Sequence, residues 1–263
     1  MLPTAVFTLS IDLELDPMRP GQDQPRSLEA MTDHLVRLLS HYQMSATWAV
    51  ADPAISAATE TLLAAEASHE IAILGDPTWV GREAGRMRFG RELARRVTRG
   101  RAAGIAISTL ALRGAEEAEH LDLLVKHEIC VVRGGSRELP RGWFAPPVLK
   151  APAPLRFGLY DVPASMRLPG QSRWKLGGGG RRRARRCIDH AIATRSAFHI
   201  QLDALSLAER APLAEHALDQ ILRHVALRQR EGTLQIATLA TLAGKLAGDR
   251  TKTPTRSILQ PAA

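Results

Sequence analysis

The chain has 263 residues, 45% of them apolar and 24% charged. That ordinary globular balance excludes wholesale disorder and leaves ample material for a core. Its 35 Lys and Arg against 27 Asp and Glu give a net charge of +8, which raises anionic glycans, nucleic acid or acidic membranes as partners; aromatic residues, at 4%, are too few for a ladder of base-stacking rings.

Two cysteines, Cys130 and Cys187, cannot build a disulfide framework and suit a reducing compartment. No basic stretch precedes an apolar one at the start, and acids arrive by Asp12 and Glu14. No run approaches about 18 clean apolar residues. The expectation is a cytoplasmic protein with no membrane span.

In chain order, residues 4–11 (TAVFTLSI) predict a buried strand that ends in Asp12, Glu14, Asp16 and Pro17. Ser27 opens a helix with Leu28, Met31, Leu35, Leu38 and Leu39 on one face. Residues 45–50 (SATWAV) form a strand, 56–67 a small helix and 70–74 (EIAIL) a third strand, stopped by Gly75-Asp76-Pro77. A long basic helix covers 81–100. Then come a strand at 104–110, a helix at 116–127, a strand at 129–133 and a proline-rich irregular stretch from Pro140 to Pro154. A short strand at 158–162 precedes four glycines and a helix at 181–194. The chain closes with a strand at 198–202, a helix at 207–230, a strand at 233–236 and a helix at 239–247.

This alternation predicts a mostly parallel sheet. About eight strand–helix units suit a closed or nearly closed barrel, with an open doubly wound sheet as the competitor. No G-x-G-x-x-G follows Ile11, which counts against a dinucleotide-binding version. One domain, residues 1–250, is expected, with 251–263 a disordered tail.

Ligands of parallel folds bind beyond the carboxyl ends of the strands. The residues there are Asp12 and Glu14; Asp76, Thr78 and Trp79; Arg113; Arg133 and Arg137; and Asp203, with His199 inside its strand. Carboxylates gathered at one mouth can hold a hard cation or move protons. Their structural alternative is to cap the next helices or to pair with Arg113 and Arg133. Trp79 could stack on a sugar face or close the barrel rim. His69 is read as ordering a helix-to-strand junction, His199 as a core histidine and Cys130 as buried and inert. Cys187, among arginines, would have a lowered pKa if exposed.

Arg181, Arg182, Arg183, Arg185 and Arg186 open a helix after the glycine run. No Lys-Ser/Thr follows the glycines, so this is not a phosphate-binding loop of the Walker kind. An anionic partner would relieve the repulsion of five cations at a positive helix end; a solvated face is the alternative. The arginines of 82–99, interleaved with Glu83 and Glu92, read as a salt-bridged surface helix.

These pieces, in order, resemble the NodB-type polysaccharide deacetylases of carbohydrate esterase family 4, especially their bacterial cell-surface glycan branch. The resemblance rests on residues 7–14 (FTLSIDLE), 45–50, His69-Glu70-Ile71-Ala72, 120–124 followed by Val132-Arg133-Gly134, 162–166, Phe198-His199-Ile200, and Leu222-Arg223-His224 through 233–239. It covers nearly the whole chain. It implies a distorted (β/α) barrel of about seven units, carbohydrate metabolism, and hydrolysis of N-acetyl C–N bonds by a water on a divalent metal, usually zinc. In that pattern Asp12 matches the catalytic base. The metal aspartate falls at Leu13, or is replaced by Glu14. The metal histidines fall at Leu74 and Thr78, and the late catalytic histidine at Asp203.

A zinc site needs about three protein ligands, and leucine is none. The resemblance therefore implies a catalytically degenerate relative, a pseudoenzyme that binds a carbohydrate or related ligand, or a partner, without a metal. Asp12 and Asp203 are its candidate catalytic residues, and Glu14, Asp76, Thr78, Trp79, Arg113 and Arg133 its candidate ligand contacts. The alternatives are an active deacetylase with Asp12, Glu14 or Asp76 on a noncanonical metal, and an anion- or nucleic-acid-binding protein using Arg181–Arg186.

Overall fold

A computed structural model describes residues 2–13, 24–113, 119–134, 149–168, 179–204, 207 and 213–251. Ten strands are found there: β1 (Ala5–Asp12), β2 (Thr47–Val50), β3 (Glu70–Gly75), β4 (Thr109–Leu112), β5 (Val131–Arg133), β6 (Ala153–Pro154), β7 (Tyr160–Asp161), β8 (Met166–Leu168), β9 (Ala197–Asp203) and β10 (Leu234–Ile236). The α-helices are α1 (Gln24–His41), α2 (Ala58–Ala64), α3 (Pro77–Val80), α4 (Gly85–Ala102), α5 (Leu121–Lys126), α6 (Gly179–Thr194), α7 (Leu213–Arg230) and α8 (Leu239–Thr251).

The strands form one curled sheet in the order β6-β7-β5-β4-β3-β2-β1-β9-β8, with β10 beside the first residues of β1. Every pairing is parallel except β6 with β7. The fold is a mixed α/β half-barrel, as the strand–helix alternation predicts. Its two edges are bridged by the chain itself. Tyr160 and Asp161 pair with β5, Ser165 N donates to the His199 carbonyl, and residues 166–168 then pair with β9.

Side-chain alternation sorts each strand between two layers. Phe7, Leu9, Ile11, Trp48, Val50, Ile71, Ile73, Leu110, Leu112, Val132, Phe198, Ile200 and Leu202 pack outward into the core shared with the helices. The inward set is narrower and smaller: Thr8, Ser10 and Asp12; Thr47 and Ala49; Glu70, Ala72 and Leu74; Thr109 and Ala111; Arg133; His199 and Gln201. Both faces are buried, so β1 is buried at every position and its sequence shows a near-continuous apolar run.

The lower end is closed by α8, whose Leu239, Leu242 and Ala243 pack on Val6, Val131, Tyr160 and Ala197. Glu70 fixes this plug. Its carboxylate accepts from Thr47 Oγ1 at 2.7 Å, from Thr109 Oγ1 and from the Ala240 backbone N–H at 3.0 Å. The last donor belongs to the first turn of α8, where a negative charge is favoured. His69 Nδ1 accepts from Ala46 N at 3.2 Å and so ties the start of β3 to that of β2.

Several boundaries differ from expectation. The basic helix begins at Gly85, whose φ of +67° breaks the chain after a short α3 and a 3-10 turn at Arg82–Ala84. β4 starts five residues later than expected, because 104–108 has no ladder partner. The helix expected at 116–127 is described as Leu121–Lys126. β6 and β8, two and three residues long, are too short for alternation to reveal. Cys130 is exposed rather than buried, since β5 begins one residue later and turns it outward. Cys187 is buried on α6, and burial pushes its thiol pKa up rather than down. Most of the proline-rich stretch, Glu14 and the expected tail beyond Thr251 lie outside the described residues.

Candidate functional site

Register brings the two candidate catalytic carboxylates together, for Asp12 and Asp203 are direct partners in the β1–β9 pairing. Arg133 closes β5 in register with Ala111 of β4, and Arg113 follows β4 by one residue. These four stand at one strand-end mouth. Arg113 and Asp203 are half-buried, and each is engaged in interactions of its own.

The centre of the mouth is an ion pair. Arg133, fully buried, donates from Nη1 and Nη2 to the two carboxylate oxygens of Asp12, the Nη2 contact being 3.0 Å. Gln201 Nε2 donates to Asp12 Oδ2 at 2.7 Å. Beneath, Arg133 Nη1 also donates to Ser10 Oγ at 3.1 Å, and Ser10 Oγ lies 2.8 Å from His199 Nε2. Because Nδ1 of the neutral ring faces backbone carbonyls and takes the ring proton, Nε2 accepts and the serine hydroxyl donates to it. His199 Nδ1 then faces the Val162 and Pro163 carbonyls without a hydrogen bond of regular geometry. Burial first, then the Arg133 charge, pushes the His199 pKa down to about 3, so the ring is neutral at ordinary pH. Sequence reasoning passed over Ser10 and Gln201; the one signal was their position, each two residues before a strand-end aspartate on the same face.

A metal centre of the kind implied by the family resemblance does not fit these residues. Leu13 and Leu74 are buried apolar side chains, and Leu74 packs with Ala49, Ala72 and Ala111 into a small apolar wall. The Thr78 hydroxyl is hydrogen-bonded to Asp76 Oδ1. Asp12 is committed to a guanidinium. Among the described residues no cluster of three His, Cys, Asp or Glu is placed to hold a metal, while zinc requires such donors.

Two expected contacts have other work. Asp76 is the N-cap of α3, its Oδ1 accepting from Thr78 N at 2.8 Å. Trp79 is 2% exposed, packed against Phe89 with ring centroids 5.8 Å apart, with the Arg96 guanidinium 4.5 Å from the ring centroid. Arg96 is held there by Glu92 at 2.6 Å and the Ala51 carbonyl at 2.7 Å. A cation covers the face that a sugar would need.

The arginines of α6 lie on the outer helix layer. Arg182, Arg183 and Arg186 are exposed, and Arg181 donates to Gln220 of α7. Arg185 lines a shallow groove of about 410 Å³ with Tyr42, Arg223, His224, Ala226, Leu227 and Arg230. The basic helix α4 is laced to its surroundings by Arg86–Asp122, Arg99–Asp52 and Arg101–Glu128 pairs, and Arg95 pairs with Glu92 within the helix.

No protein-family model matches the chain, and no curated protein sequence matches it. Solved structures do. A "putative polysaccharide deacetylase" of Mycobacterium smegmatis superposes with a TM-score of 0.68 at 16% identity, over 99% of this chain and 95% of that one. The peptidoglycan deacetylase PdaC of Bacillus subtilis superposes with a TM-score of 0.50 at 12% identity, over 95% of each chain. The 4-alpha-glucanotransferase of Thermococcus litoralis gives 0.55 at 12% identity, over 94% of this chain and 40% of that one. At such identities the likeness is one of fold. No helix among the described residues is long and apolar enough to cross a membrane.

Proposed function

We propose that this chain is a carbohydrate-binding barrel of the polysaccharide-deacetylase kind that has given up metal-dependent hydrolysis. It holds a glycan at the Asp12–Arg133 mouth and leaves the N-acetyl groups in place. The observation that carries this reading is the engagement of Asp12. Both its oxygens accept from Arg133, and one accepts from Gln201 as well. A carboxylate so occupied is a poor ligand and a poor general base, since taking a proton means giving up charge-assisted bonds. The neighbouring apolar wall of Ala49, Ala72, Leu74 and Ala111 offers no second donor. The sugar reading is supported by the fold neighbours, two deacetylases and a glucanotransferase, whose different reactions share a carbohydrate substrate. Fold alone does not transfer activity; the donor set is what supports a reading without hydrolysis.

The test combines metal analysis of the purified protein, acetate release from chitotetraose, and calorimetric titration with the same sugar. The expected result is saturable binding, no stoichiometric metal and no acetate. One metal per chain together with acetate release that Asp12→Asn abolishes would overturn the reading.

A further inference from the structure

We propose that Arg167 is the specificity-determining residue of this mouth and that the glycan it selects carries an oxyanion, a carboxylate or an ester sulfate. The inference rests on the carbohydrate-binding reading above and names its ligand class. Arg167 lies on β8 in direct register with Gln201 of β9. Its Nε and Nη2 both donate to Gln201 Oε1, at 3.3 and 3.2 Å. The other end of the same amide donates to Asp12 at 2.7 Å. Flipping that amide would set NH2 against guanidinium and carbonyl against carboxylate, so the relay Arg167–Gln201–Asp12 has one orientation. The Arg167 fork is thereby held still at the mouth, partly exposed.

What holds it is neutral. Arg133 and Asp12 cancel one another, and among the described residues no carboxylate pairs with Arg167. Of its five N–H groups, Nε–H and one Nη2–H are used by Gln201, and among the described residues no hydrogen bond engages the Nη1/Nη2 end. Two parallel N–H groups on that end match the spacing of two oxygens of a carboxylate or sulfate. A partly buried cation without a counterion is unfavourable, and a ligand anion supplies one. Among the described residues the rim leans the same way, with Arg113, Arg133 and Arg167 against Asp12 and Asp203.

The experiment titrates three sugars into wild type and Arg167→Gln by calorimetry: chitotetraose (neutral), hyaluronan tetrasaccharide (carboxylate) and 6-O-sulfated chitotetraose (sulfate). Wild type should bind at least one charged sugar about tenfold or more tighter than chitotetraose, the worth of a charge-assisted contact. That preference should weaken as salt rises. Arg167→Gln should erase it, so that the variant binds the charged sugars no tighter than chitotetraose, and chitotetraose binding that is still saturable reports an intact mouth. Which charged sugar gains tells carboxylate from sulfate. Should Arg167→Gln not fold, Arg167→Lys carries the test: it keeps the charge, loses the fork, and should lose most of the preference. Equal binding of neutral and charged sugars, or an equal loss for all of them in the variant, overturns the role of Arg167 and leaves carbohydrate binding standing. Binding of none of them overturns the carbohydrate reading and this inference with it.

Discussion

Replacing Arg133 by Met removes the cation at the centre of the mouth and leaves the carboxylate of Asp12, 6% exposed, with only the Gln201 contact of these three hydrogen bonds. Breaking a buried pair by removing one partner costs about 3–5 kcal/mol, because the other charge stays behind. For a domain of this size each kcal/mol moves the midpoint by roughly 2–4 °C, so the melting point should fall by about 6–20 °C. Ser10 loses a donor in the same step, which adds to the loss. The double variant Arg133→Met with Asp12→Leu removes both charges and should recover most of the stability, since an apolar replacement of a buried pair is often neutral. Urea unfolding followed by tryptophan fluorescence reads all four corners of the cycle. A loss below about 1 kcal/mol in the single variant, or a double variant less stable than the single, would show that Asp12 and Arg133 behave as solvated groups and would refute the account of the mouth.

Four further outcomes follow from the same geometry. His199 has its pKa near 3 in the folded chain against about 6.5 unfolded; a depressed histidine leaves the unfolded state binding more protons, so stability is full above pH 6.5 and is lost as pH falls from there toward 3. His69, held at about 4 by burial, adds the same sign, and His199→Gln should flatten the decline measured between pH 4.5 and 7. Glu70→Gln sets an NH2 group among donors from Thr47, Thr109 and Ala240; it should cost about 1–3 kcal/mol and speed amide exchange in α8. Trp79→Ala should destabilise the protein by about 3–5 kcal/mol yet leave chitotetraose affinity unchanged, since the ring lies under Arg96. Thiol titration of the native protein should count one reactive cysteine, Cys130, and two after denaturation, because Cys187 is buried.

Much of the architecture was legible because it depends on local pattern. The runs at 4–11, 70–74 and 198–202 are buried on both faces, and such strands announce themselves without reference to anything distant. The placement of Asp12, Asp203, Arg113 and Arg133 at one mouth followed from the rule that strand ends in parallel folds point the same way. The failures share a cause. Trp79 sits after a strand, but whether it faces ligand or core depends on Arg96, 17 positions on, folding across it. Cys130 reads as apolar strand, yet the ladder begins at Val131. Arg167 and Gln201 carried no motif, since their pairing joins β8 to β9 across 34 positions.

By itself, then, the sequence determined the alternation of strand and helix, the mostly parallel sheet, and the presence of Leu13, Leu74 and Thr78, side chains ill suited to zinc, beside the strand ends. These are matters of residue type and spacing. Tertiary structure decided the charge state of the mouth. A sequence can show an aspartate after one strand and an arginine after another, 121 positions apart. Only the curl of the sheet brings them into contact and joins both in a buried pair.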